Sequence, residues 1–377
     1  MGPSSSFEFR LGDCMKLGLE LDDESIDTII TSPPYWKQRE YDVEDTNVEF
    51  LLGMEKKPEE YVSNMVNIFS ILKTKLKKTG SLWLNLGDKY VNKNLMGMPW
   101  RVALAMMDDG WILRNDVIWH RMKGTQSAKD KLRDNHEYIF HFVKKKKYFY
   151  DLDAIRIERH KKPTMKNGRI ISSTGVSGQS YYKKIKNSNV LTDKQKENAT
   201  EALNQMLGRM KEGTIDDFRM YIKGEHRVLH SDKKTVSGRA REMDKNGYYF
   251  MSSTSKGKVP SDIWSVSDHS DFENKFIAAF ALLEDEELIP GTLWNITPED
   301  EWRKDAHYAV FPTELLQLPI KATCPEEGII LDPFMGTGST IVAAVELKRK
   351  GIGFDVSQKY IDIANSRMEK VISAENP

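Results

Sequence analysis

At 377 residues, 39% of them hydrophobic and 30% charged, the chain has material for one large domain and a smaller one. It has no apolar run of the roughly 18 residues a membrane span needs and no charged-then-apolar leader, so a soluble, cytoplasmic protein is expected. Two cysteines, Cys14 and Cys324, exclude a disulfide framework and a cysteine-rich zinc site, while a net charge of +0 excludes little because the charges are unevenly spread.

The opening Met-Gly-Pro-Ser-Ser-Ser is set aside. Phe7–Gly12 predicts a short strand, and Ile26–Thr31 predicts a second one that enters a Ser-Pro-Pro turn. Val62, Met65, Val66, Phe69, Leu72 and Leu76 recur at helical spacing, with Gly80 as the stop before a strand at SLWLNL (81–86). Further strands are expected at 112–119 and 137–143. Strands alternating with helices predict an α/β fold, doubly wound on a mostly parallel, Rossmann-like sheet.

From 156 to 290 the texture changes. Lys, Ser, Gly and Asn abound, apolar periodicity is weak, and Tyr181, Tyr182, Tyr248, Tyr249 and Phe250 are scattered. An insertion of long loops is expected there, parts of it ordering only with a ligand. Residues 121–260 hold 32 Lys and Arg against 16 Asp and Glu, and the rest of the chain carries the compensating acid. Such a block suits a polyanionic partner, or is a lysine-rich solvated face. From 291 the α/β texture returns. A helix is expected after Phe311-Pro312, then the strand GIILD (328–332), a Gly-rich turn and the helix STIVAAVELKRK (339–350). The strand GIGFDV (351–356) and a helix YIDIANSRMEKV (360–371) close the chain.

Two stretches carry chemistry. In GIILDPFMGTGST (328–340) a strand runs into a turn holding Gly336 and Gly338 and then into a helix. Glycines let the backbone approach a ligand, and the helix N-terminus offers unpaired N–H groups. Asp355, 23 positions after Asp332, stands where an acid on the next strand accepts from ribose hydroxyls. No lysine follows Gly338, which excludes a Walker phosphate loop, so the turn is either a nucleoside site or a plain tight turn. In TSPPYW (31–36) two prolines remove N–H donors and leave carbonyls free to accept. Ser32 adds a hydroxyl, and Tyr35 and Trp36 add flat faces for a base. A rigid surface turn or a proline-rich ligand are the alternatives.

Together these stretches resemble the group β amino-methylating DNA methyltransferases, which modify cytosine N4 or adenine N6. The likeness extends over most of 7–155 and 291–377. TSPPYW resembles the catalytic (Asp/Asn/Ser)-Pro-Pro-(Tyr/Phe) motif, and DPFMGTGST resembles the turn that holds the methionine end of S-adenosylmethionine. Leu11-Gly12-Asp13 is similar to the family's Gly-Asp step. LWLNLGD (82–88), MPWRVALAMMDDGW (98–111), DVIWHR (116–121), NHEYIFHFVK (135–144) and HYAVFPTELL (307–316) extend the resemblance.

The order of catalytic turn, basic insertion and cofactor turn is the circularly permuted arrangement called group β. The resemblance implies a catalytic part at 7–155, a target-recognition insertion at 156–290 and a cofactor part at 291–377. It implies S-adenosylmethionine as cofactor, held by Asp13, Thr31, Phe311, Pro312, Asp332, Phe334, Gly336, Gly338, Ser339 and Asp355, with no metal. Ser32 and the Pro33 carbonyl would accept the hydrogens of the target amino group, with Pro34 completing the turn and Tyr35 stacking on a flipped-out base. Serine at the first motif position is more typical of cytosine-N4 enzymes. Adenine-N6 is the alternative, followed by an RNA or protein methyltransferase and a non-catalytic DNA-binding module. Double-stranded DNA is the expected partner, in a restriction-modification setting with a separate endonuclease chain, and the expected state is a monomer or homodimer. Cys324 reads as structural rather than as a cytosine-C5 nucleophile. His120 and His136 read as structural or DNA-contacting, and Lys144–Lys147 as a run able to reach phosphates.

Overall fold

The computed structural model describes residues 6–37, 51–121, 130–132, 134, 136–157, 161–225, 238–267, 294–295 and 313–375. Phe311 and Pro312, expected in the cofactor site, lie outside these residues. The chain divides into two compact units, Met1–Ile155 with Pro260–Pro377, and Arg156–Val259.

The first unit is built on β1 (Phe7–Leu11), β2 (Ile26–Thr31), β3 (Leu76–Leu86), β6 (Ile112–Arg121), β7 (His136–Val143), β12 (Ile263–Ser267), β13 (Trp294–Asn295), β14 (Ile329–Asp332) and β15 (Lys350–Asp355). A small hairpin, β4 (Tyr90–Val91) with β5 (Asn94–Leu95), follows β3. The sheet order is β1-β15-β14-β2-β3-β7-β6-β12-β13. Only β7 runs against its neighbours, β3 and β6. The sheet is doubly wound because its strands alternate between two cores. Ile29, Leu82, Leu84, Phe140, Phe142 and Leu331 pack with the helices α1 (Cys14–Leu19), α2 (Pro58–Lys75) and α3 (Met98–Asp108). Ile30, Trp83, Ile139 and Ile330 face the other way, against α7 (Thr313–Thr323) and α8 (Ser339–Glu346). The last helix is α9 (Gln358–Glu375). No helix among the described residues is long and apolar enough to cross a membrane.

Two expected boundaries move. Helix α2 starts on Pro58 with Glu59 and Glu60 in its first turn, and it ends at Lys75. Leu76 is already extended and pairs with Ile26, so Gly80 lies inside β3 and is not the stop. Helix α8 ends at Glu346 instead of running to Lys350. Lys348 takes a left-handed backbone (φ 59), and Lys350 opens β15.

The second unit is better ordered than its composition suggested. It contains hairpin β8 (Thr164–Lys166) and β9 (Arg169–Ile171), helices α4 (Gln179–Asn187), α5 (Asp193–Lys211) and α6 (Gly238–Asn246), and antiparallel β10 (Ile215–Ile222) and β11 (Tyr248–Thr254). Ala199, Leu203, Met206 and Met210 lie on one face of α5 and meet Tyr181, Ile185, Phe218, Met220 and Ile222 in a core of their own. Most of the scattered aromatic residues are therefore packing residues. The unit spans Arg156–Val259, and Ile263–Ser267 already pairs with β6 in the main sheet, while the expected end of the insertion at 290 lies outside the described residues.

Candidate active site

From β14 the chain continues to β15, away from β2, and from β2 it continues to β3 on the other side. The carboxyl ends of β14 and β2 therefore flank a topological switch point, where open α/β sheets bind ligands. Both turns singled out in the sequence leave the sheet there. They are joined directly, since the Thr31 hydroxyl donates to Asp332 Oδ1 at 2.7 Å. Asp332 is 3% exposed and also accepts from Phe334 N at 3.1 Å. Burial raises its pKa to about 6, held back by hydroxyl and N–H donors from Thr340, Thr31 and Phe334.

Past Asp332 the turn needs two positive φ angles, +52° at Gly336 and +80° at Gly338. Gly338 is the N-cap of α8 and has no side chain to cap it. A Cβ there would come 2.9 Å from Ala364 Cβ, whereas one on Gly336 would meet open space. At the end of β15 the half-buried Asp355 accepts from Gly336 N at 3.0 Å through Oδ2 and from Ser357 N at 2.9 Å through Oδ1. Burial pushes its carboxyl up to about 7, against the N–H groups of Ser357 and Gly336. Gly12 N donates to the Asp355 carbonyl at 2.8 Å, which fixes the end of β1 beside it. Asp13 caps α1, with Oδ1 accepting from Met15 N and Lys16 N at 2.8 and 3.0 Å. Phe334 packs on the main core. The Ser339 hydroxyl takes a 3.1 Å bond from Arg367, which also holds Thr337. These features are compatible with a nucleoside: an open glycine turn, a helix start without a side-chain cap, and, in the half-buried Asp355, an acid able to accept from hydroxyls.

The other turn is held stiffly. Trp36 is buried and donates to the Glu55 carbonyl at 2.9 Å, while Tyr61 donates to the Pro34 carbonyl at 3.0 Å. Among the described residues no hydrogen bond reaches the Pro33 carbonyl. Beside it, Ser32 Oγ is 3.1 Å from Tyr35 Oη and 3.2 Å from Asn85 Nδ2. Tyr35 donates to Glu137 Oε2 at 2.7 Å, and Asn85 Nδ2 lies 2.6 Å from Tyr35 Oη and 2.9 Å from Glu137 Oε2. Burial, then the Glu137 charge, hold the Tyr35 hydroxyl well above its usual pKa, so it stays protonated. Its ring lies so close to β3's exit that a Cβ on Gly87 would meet Cε2 at 2.7 Å.

Sequence reasoning quoted the segments around Asn85 and Glu137 but gave neither residue a role. A usable signal was present. Asn85 interrupts LWLNL and Glu137 opens an apolar strand, and a polar group in a strand covered on both faces must find a partner. Cys324 is fully buried with its thiol pushed up to about 12, mainly by burial, which leaves no thiolate for attack at cytosine C5. His120 and His136 are cross-strand neighbours in β6 and β7. Lys144 Nζ donates to the Leu76 carbonyl at 2.9 Å, at the amino end of β3 and so at the opposite end of the strands from TSPPYW.

The N6/N4 DNA methylase family model matches residues 26–366. The chain is 29% identical to the type II methyltransferase M.SfiI of Streptomyces fimbriatus, over 94% of this chain and 89% of that protein. It is 25% identical to M.SmaI of Serratia marcescens over 96% and 91%, and 22% identical to M.Cfr9I of Citrobacter freundii over 95% and 86%. Among solved structures, the cytosine-N4-specific PvuII DNA methyltransferase shares the fold, with a TM-score of 0.52 at 17% identity, over 99% of this chain and 94% of that one.

Proposed function

The chain belongs to the N6/N4 DNA methylase family, S-adenosylmethionine-dependent enzymes that act on DNA, and from that premise we propose that it methylates cytosine N4. The observation that carries the proposal is one turn with two oxygen acceptors, the Ser32 hydroxyl and the Pro33 carbonyl, which takes no hydrogen bond among the described residues. It is tied by the 2.7 Å Thr31–Asp332 bond to the turn proposed to hold the cofactor. S-adenosylmethionine supplies an electrophilic sulfonium methyl group when bound. Asp355 would accept from its ribose hydroxyls and Asp13 from its adenine amino group. Thr31, Asp332, Phe334, Gly336, Gly338 and Ser339 would frame the methionine end, with Phe311 and Pro312 closing over it.

An exocyclic amino nitrogen is a poor nucleophile because its lone pair is delocalised into the ring. Ser32 Oγ and the Pro33 carbonyl, each accepting one amino hydrogen, pull the nitrogen toward a tetrahedral shape and aim the lone pair. The rigidity of this turn, from Trp36, Tyr61 and Pro34, makes positioning the main source of rate. The Tyr35 ring is the surface on which a flipped base would stack. Serine in place of a longer carboxylate or carboxamide favours cytosine, and one relative in fold is named cytosine-N4-specific. The unit Arg156–Val259, with 23 Lys and Arg against 11 Asp and Glu, is the proposed reader of double-stranded DNA. The relatives' type II names favour a cytoplasmic restriction-modification enzyme, paired with a separate endonuclease and acting as a monomer or homodimer.

The test is expression in a host free of DNA methylation, followed by mass spectrometry of the nucleosides. N4-methylcytosine is expected, and it should vanish on Ser32→Ala while S-adenosylmethionine binding persists. N6-methyladenine alone would overturn the choice of base and leave the family standing.

A further inference from the structure

We infer that Glu137 is a positioning residue that keeps Ser32 a hydrogen-bond acceptor, acting through the Tyr35 hydroxyl. The inference rests on the proposal that the Ser32–Pro33 turn receives the target amino group. It follows from counting protons in the four-residue cluster.

Asn85 Nδ2 can only donate, so at 2.6 Å it makes Tyr35 Oη an acceptor on that side. The single Tyr35 proton is then committed to Glu137 Oε2 at 2.7 Å. Asn85's two hydrogens are shared among three oxygens, Tyr35 Oη at 2.6 Å, Glu137 Oε2 at 2.9 Å and Ser32 Oγ at 3.2 Å, the last being the longest approach. Tyr35 Oη has no proton left for Ser32. The Ser32 proton therefore points to Tyr35 across 3.1 Å, and the lone pairs of Oγ remain for an incoming donor. An exocyclic amino group presents only hydrogens, which is the partner this arrangement selects.

The carboxylate sets the direction of the whole chain. Asn85 Oδ1 is buried and has no hydrogen-bond partner among the described residues. Turning the amide over would aim that oxygen at Glu137 Oε2, oxygen against carboxylate. The demand of Glu137, itself only 6% exposed, for donors thus overrides Asn85's own unmet acceptor. A glutamine at 137 no longer forbids Asn85 from turning its unmet Oδ1 toward it; the glutamine NH2 then faces Tyr35 Oη as well, and the Tyr35 proton is free to turn to Ser32. The Ser32 hydroxyl then swings its own proton toward the base and opposes the amino group.

The test is single-turnover methyl transfer with DNA and S-adenosylmethionine already bound. Glu137→Gln keeps the shape and should slow the step about 100-fold, while both affinities and the melting temperature hold. Tyr35→Phe breaks the link and should slow it comparably. If Glu137 acts through that hydroxyl, the double variant is no more than about twofold slower than Tyr35→Phe alone. Losses that multiply, or a glutamine variant with the native rate, overturn the inference. If the glutamine variant fails to fold, Tyr35→Phe decides, and a native rate there refutes the chain. Ser32→Ala separates the two claims. A native rate on that change sinks the proposed catalytic turn itself, whereas a slow Ser32→Ala beside a fast Glu137→Gln sinks only the role of Glu137.

Discussion

Thr31→Val removes one hydroxyl, keeps the branched shape, and isolates the bond that joins the two turns. Thr31 is 1% and Asp332 3% exposed, so solvent screens the bond little. A hydrogen bond to a buried charged acceptor contributes about 1.5–3 kcal/mol, and a neutral one about 1 kcal/mol. The folded-state pKa of Asp332, about 6, lies above its ordinary value of 3.8. The native state therefore binds that proton more tightly than the unfolded chain. The group's contribution to stability is largest below about pH 4 and is lost as pH rises through about 6. The Thr31 hydroxyl opposes this shift, so valine pushes the carboxyl higher still. The destabilisation should then be about 2–3 kcal/mol near pH 8, where the carboxylate is charged, and about 1 kcal/mol near pH 5, where it is mostly protonated. Urea unfolding followed by tryptophan fluorescence at both pH values measures it, and calorimetry should find S-adenosylmethionine bound more weakly. An equal loss at the two pH values would refute the reasoning.

Asp355 titrates near 7 because it is desolvated, and a protonated carboxyl is a poorer acceptor. Cofactor affinity should rise from about pH 6 to about pH 8 in the native protein and stay flat in Asp355→Asn, which at the higher pH loses about 1–3 kcal/mol of binding. Parallel pH profiles would remove Asp355 from the cofactor site. Replacing Arg156–Val259 with a flexible linker should abolish DNA binding and keep cofactor binding. Native DNA affinity should fall at least about tenfold between roughly 50 and 200 mM salt, given the unit's basic surplus. A deleted protein that folds and still binds its DNA site would reassign the recognition role.

What the sequence disclosed depended on whether the relevant interaction is local. The strand-turn-helix at 328–346 was readable because its glycines, acid and apolar run are consecutive. TSPPYW was readable because prolines constrain their own neighbours. The Thr31–Asp332 bond was not, since the two residues are 301 positions apart and meet only because β14 pairs with β2. The order of the second unit was missed for a different reason. The apolar stripe of α5, with its Thr192–Gln195 capping box, is diluted by lysines, and composition outweighed periodicity there. Asn85 and Glu137 combine both difficulties. Each is one polar residue in an apolar strand, and each meets partners that only the sheet order brings near, one another across β3 and β7 and Tyr35 from the turn after β2. A buried polar residue that interrupts a strand is thus a sequence signal without an address. The sheet order supplies the address, and here it leads from two strand ends to the TSPPYW turn.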